Sequence, residues 1–130
     1  MKDLKIALLP ALIFAQFLFS CGLNKMEPID PAYVMQAKEH LRLGVVYETQ
    51  GMPELALREY EKAALLDPEN PNAHFAAANI YLKFKKYTEA EKGFLAAAKL
   101  SPQNPSYHNN LGWVYMETGK LDKAEDAART

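Results

Sequence analysis

Three histidines, one cysteine and a few paired carboxylates are the side chains of this 130-residue sequence whose types and spacing invite a chemical reading. His40, His74 and His108 recur at intervals of 34, and three imidazoles in register suggest a metal column. Geometry opposes it: helices packed side by side lie about 8 to 10 Å apart, whereas zinc draws every ligand nitrogen to about 2.0 to 2.1 Å from one ion. Two imidazoles could bridge an ion, but three in a ladder cannot. The histidines are therefore expected to be half-buried packing residues, and no metal is expected. No serine stands in a Gly-x-Ser-x-Gly elbow and no glycine-rich phosphate loop occurs. Glu89 with Glu91, and Glu125 with Asp126, read as solvated helix faces. Lys83, Lys85 and Lys86 could meet phosphates, yet lysines at a turn are more simply solvent-facing. No catalytic residue and no cofactor is expected, and the chain is read as a non-enzyme.

Composition narrows the classes further. With 49% hydrophobic and 24% charged residues the chain has a globular balance, and a net charge of −1 gives no general attraction to nucleic acid. A single cysteine excludes a disulfide within the chain and any cysteine-rich zinc site. Stability must come from packing.

That cysteine stands at a telling place. Lys2 and Lys5 form a short basic start, and Ile6 to Phe19 is apolar except for Pro10 and Gln16, the pattern of a secretory signal over residues 1–20. As a helix the apolar run Ile6 to Phe19 would span only about 21 Å, short of the roughly 30 Å hydrocarbon core of a bilayer. The run ends in Leu18-Phe19-Ser20-Cys21-Gly22, which resembles the lipobox of bacterial lipoproteins. Leu18, Ser20 and Cys21 fit that pattern, and Phe19 departs from it. The resemblance implies lipidation of Cys21, residues 21–30 as a lipidated N-terminus and tether, and membrane affinity from two or three acyl chains, each buried methylene contributing about 0.8 kcal/mol. Gly22 in place of Asp implies, under enteric-type sorting, an outer-membrane location facing the periplasm of a bacterial envelope.

The elements that position the remaining residues follow from one period. Shifting the sequence by 34 aligns Tyr47, Tyr81 and Tyr115; Ala56, Ala90 and Ala124; Tyr60 with Phe94; Ala63 with Ala97; Pro68 with Pro102; and Asn70 with Asn104. His40, Leu43, Gly44 and Tyr47 fall at i, i+3, i+4 and i+7, one face of a helix. Gly44, Ala78 and Gly112 lack bulk where two helices must approach, and Tyr60 or Phe94 fits between small neighbours. Gly51 and Gly119 suit helix ends; Phe84-Lys85-Lys86-Tyr87 has no glycine, which predicts a less ideal turn. Asp67-Pro68-Glu69-Asn70-Pro71 and Ser101-Pro102-Gln103-Asn104-Pro105 break one helix and start the next, with Asn70 and Asn104 as N-caps. Asp30-Pro31 predicts a first helix that starts early and runs to about Gln50.

This pattern resembles the tetratricopeptide repeat, a helix-turn-helix unit. The resemblance implies an all-α solenoid of antiparallel helix pairs over residues 31–130, with repeats at about 37–70, 71–104 and 105–130. Two are complete and the third ends early, with Ala128 where the aromatic is expected. That ending suggests a truncated array, or an edge covered by another chain.

In the family the first helices of each unit line a concave groove for an extended peptide or a helix. The corresponding residues are Leu41, Val45 and Glu48; Phe75, Asn79 and Leu82; and Asn109, Trp113 and Met116. Phe75, Trp113 and Met116 are expected to be exposed anchors, with sealing of neighbouring repeats as the alternative for Phe75 and Trp113. Asn79 and Asn109 are expected to hold a bound backbone. Chaperone-tail binders carry lysine and asparagine where this chain has Leu41 and Val45, so a free acidic tail is not the expected ligand. Small lipoproteins of similar architecture include pilotin-type factors of type IV pili. The expected function is a membrane-anchored protein-binding module of the envelope. An escort or remnant subunit of a periplasmic hydrolase, and self-association through the unfinished C-terminal edge, are the other readings.

Overall fold

The computed structural model describes residues 29–129. Within them lie six helices and the turns between them: α1 Pro31–Thr49, α2 Pro53–Leu66, α3 Pro71–Lys83, α4 Tyr87–Leu100, α5 Pro105–Glu117 and α6 Leu121–Ala128. Each packs on the next in chain order, giving three hairpins stacked side by side. The signal segment 1–20, Cys21 and the tether up to residue 28 lie outside the described residues. No described helix is long and apolar enough to cross a membrane.

Local chemistry sets the helix starts. Asp30, Asn70 and Asn104 each accept a hydrogen bond from the backbone N–H two residues on, at 2.8, 3.1 and 3.0 Å, and a proline follows each cap. The cap satisfies one orphan donor while proline removes another. The α1 boundaries agree with the early start read from Asp30-Pro31.

The hairpin turns also repeat. The N–H groups of Met52, Lys86 and Lys120 donate to the carbonyls of Tyr47, Tyr81 and Tyr115 at 2.9, 2.9 and 2.8 Å, the six-to-one bond that closes a helix behind a left-handed residue. That residue is Gly51 at φ 73°, Lys85 at φ 57° and Gly119 at φ 72°. The expected poorer turn at Lys85 is thus real: a lysine occupies backbone space natural to glycine, at about 1 to 2 kcal/mol.

Two apolar clusters form the core. Ala56, Tyr60, Ala77 and Ile80 make one, joined by Leu41 and Tyr47. Ala78, Ala90, Phe94, Leu111, Val114 and Tyr115 make the other, joined by Phe75 and Leu82. In the first hairpin, a Cβ on Gly44 would stand 2.3 Å from Cε1 of Tyr60. The second has a close approach not read from sequence, where a Cβ on Gly93 would meet that of Ala78 at 2.8 Å. In the third, a Cβ on Gly112 would touch Ala127 only at 3.8 Å, so the expectation of a close approach there is corrected. With Ala128 in the aromatic's place, nothing presses on the glycine.

Candidate functional site

The first helices α1, α3 and α5 present the nine residues read as a groove, but their environments differ. Phe75 is half-buried, its ring 4.9 Å from that of Tyr107 and 5.7 Å from that of Phe94. It seals α3 against α4 and α5, so the expectation of an exposed anchor is corrected for this residue. Leu41 and Leu82 likewise pack against the two core clusters. The apolar content of a groove position is consumed wherever the next unit offers a ring or aliphatic surface within reach.

Polar floor residues are occupied too. Glu48 accepts from the Tyr60 hydroxyl at 2.9 Å and pairs with Lys83 from the following hairpin. The lysine holds its carboxyl below the ordinary range, aided by the hydroxyl and opposed by partial burial. Burial, together with the same contact, pushes the Tyr60 hydroxyl well up. Asn79 accepts from the Asn110 amide at 2.8 Å, which ties α3 to α5 and engages one of its amide's hydrogen-bonding atoms.

What faces outward is Val45 on α1 and, on α5, Asn109, Trp113 and Met116. Trp113 is 52% and Met116 55% exposed. Three residues apart on one helix, they stand on neighbouring positions of its surface.

The histidine column is dispersed among three partners. His74 and His108 donate from Nε2 to the carbonyls of Pro68 and Pro102, each at 2.8 Å. A carbonyl only accepts, so the proton sits on Nε2, and each imidazole fastens a helix to the linker before it. His40 has no such linker; its Nδ1 lies 2.6 Å from Glu59 Oε2, whose other oxygen receives Lys62 at 2.7 Å. Lys62 first, then His40, keeps the Glu59 carboxyl below its ordinary value of 4.5 against the opposing effect of burial. Among the described residues no group of three or more His, Cys, Asp or Glu could hold a metal ion.

The face opposite the groove carries a feature that was not read from the sequence. A cleft of about 470 Å³ opens between α2, α3 and α4 along Glu61, Ala64, Leu65, Ala77, Tyr81 and Gly93. One unit on, a smaller one of about 270 Å³ is lined by Leu95, Ala98, Leu111, Tyr115 and Ala127. These are the same repeat positions, and the period of 34 was the available signal. Tyr81 donates to Glu61 beside the first cleft, an acceptor that pushes its hydroxyl up to about 12.

Family models described as tetratricopeptide repeat match residues 41–105 and 94–126. Among solved structures, the second TPR of Spaghetti (RPAP3) bound to the HSP90 peptide SRMEEVD is similar at TM-score 0.72 and 26% identity, over 77% of this chain and 94% of that one. MamA is similar at TM-score 0.67 and 25% identity, over 70% of this chain and 53% of its own. The Arabidopsis OM64 TPR domain, 15% identical at TM-score 0.70 over 75% and 80%, shares the fold. None of the curated proteins matches the sequence.

Proposed function

We propose, given that this chain belongs to the tetratricopeptide repeat family, that it is a non-catalytic protein-binding module moored to the bacterial envelope through lipid on Cys21. Its ligand is a peptide or helix of a partner protein held against the first helices. The supporting observation is the exposed pair Trp113 and Met116 on α5, next to a floor where Leu41, Phe75 and Leu82 are already packed and Val45 stays open. Tryptophan is among the residues that most often carry binding energy, and the RPAP3 relative was solved with a peptide bound. Leu41 and Val45 stand where chaperone-tail binders are basic or amide-bearing, so this groove favours a segment with an apolar anchor over an acidic tail.

The location follows from the lipobox-like Leu18-Phe19-Ser20-Cys21, with Gly22 favouring the outer membrane and the periplasmic side. A role in assembling an envelope complex, of the pilotin kind, fits a small anchored module whose chemistry is confined to recognition.

Two measurements test the reading. Mass spectrometry of the mature N-terminus is expected to find acyl chains on Cys21, and Cys21→Ser to release the protein from the membrane fraction; an unmodified thiol removes the anchoring. Capture from native envelopes is expected to retain a defined partner, and Trp113→Ala to weaken that capture by about 1 kcal/mol or more with helicity unchanged. Loss of helicity would instead place Trp113 in the core.

A further inference from the structure

The outer side of α1 repeats a surface that is covered elsewhere in the molecule. Val46 is 46% exposed, whereas Ile80 and Val114, at the same repeat position, are 0% exposed because α2 and α4 lie against them. Leu43 is exposed in the same way, while its counterparts Ala77 and Leu111 are buried. The first unit thus presents the apolar half of a junction made twice internally. α6 is poorly suited to supply the other half: its sequence Leu121-Asp122-Lys123-Ala124-Glu125-Asp126-Ala127-Ala128 is charged and lacks the aromatic of α2 and α4.

A better complement is α1 itself. Met35, Glu39, Arg42 and Val46 fall at i, i+4, i+7 and i+11, the spacing of a helix-helix seam. All four are exposed, and Leu43 lies alongside. Read along the helix, the stripe runs apolar, acidic, basic, apolar. Turned end for end, it runs apolar, basic, acidic, apolar. In an antiparallel pair with its twofold axis between residues 40 and 41, Met35 meets Val46 of the other copy and Glu39 meets Arg42, each contact occurring twice. A parallel pair would set Glu39 against Glu39 and Arg42 against Arg42, so charge selects the antiparallel register. Within one chain Glu39 and Arg42 already pair at 3.0 Å on the exposed surface, where such a pair contributes little.

We propose that two copies of this chain associate through α1 in that antiparallel arrangement, independently of whether a ligand fills the groove. The seam leaves Trp113 and Met116 on α5 clear, so the dimer would carry two grooves.

Disulfide trapping of the full chain in intact envelopes tests it. Met35→Cys with Val46→Cys puts the two thiols about 16 Å apart within one helix, beyond the roughly 7 Å limit between the Cα atoms of a disulfide, so the two introduced thiols cannot close on each other within one chain. The chain carrying Cys21 alone serves as the control. The expected product has twice the chain's mass. In that background Glu39→Arg or Arg42→Glu alone is expected to lower the yield about tenfold by setting like charges together, and the double exchange to restore it. Helicity of each variant distinguishes lost association from lost folding. A cross-link yield no greater than that of the Cys21-only chain, a product of another mass, or a yield indifferent to charge reversal would overturn the proposal. A product of another mass would point to a different protein on this face.

Discussion

The first and third hairpins follow one 34-residue template, yet only the first is interlocked. In the first, the Tyr60 ring occupies the space over Gly44, its hydroxyl ends on Glu48, and His40 meets Glu59. In the third, Gly112 keeps its place but faces Ala127 at ordinary contact distance, Ala128 is exposed, and α6 has no buried residue. The unit of packing is therefore the pair of small residue and ring. A glycine without its ring leaves only the weakness of glycine in a helix, about 0.5 to 1 kcal/mol relative to alanine.

Removing the ring breaks the contrast most severely. Tyr60→Ala is expected to cost about 3 to 5 kcal/mol, the range for a large aromatic lost from a core, while Ala128→Gly at the matching position costs at most about 1 kcal/mol. Denaturant midpoints of the two variants check this. Filling the glycines sharpens it: Gly44→Ala drives a methyl into the Tyr60 ring and should lose about 1 to 3 kcal/mol. Gly112→Ala should gain up to about 1 kcal/mol. Opposite signs in the melting temperature are the expected result, and a loss at both sites would show α6 packed as tightly as α2.

A third comparison uses the turns. Lys85→Gly relieves a left-handed lysine and should raise stability by about 1 kcal/mol, whereas Gly119→Ala, which introduces the same strain into the third turn, should lower it by a similar amount. The smallest effect is expected with pH. The carboxyls of Glu59 and Glu48 are held below their ordinary value by Lys62 and Lys83. Their contribution is complete above that ordinary value and is lost as pH falls through the lowered one. Acid should therefore soften the first hairpin progressively as pH falls below the ordinary value of 4.5. Glu59→Gln should flatten that part of the melting profile; an unchanged slope would remove Glu59 from it.

Much of the fold was legible because its determinants are local. Asn70 and Asn104 cap the helices they precede, Pro68 and Pro102 mark the same linker twice, and the missing glycine at Lys85 foretold a strained turn. The groove was legible only as a set of positions. Phe75 looked like a free anchor, but its fate depends on Tyr107, 32 residues away. Asn79 looked like a ligand for a bound backbone, and Asn110 already occupies its carbonyl oxygen. The imidazoles at 74 and 108 reach back to a carbonyl, a contact that residue type alone does not announce.

The sequence by itself determined the helices, their caps, their turns and the period of the stack, since these rest on hydrogen bonds and backbone preferences acting within about five residues along the chain. Only the tertiary structure decided which groove residues remain open, which glycine is indispensable, and which edge of the stack stays apolar. Burial and pairing are settled by side chains of the neighbouring unit, and a missing ring or an added amide there changes the outcome without altering the local pattern.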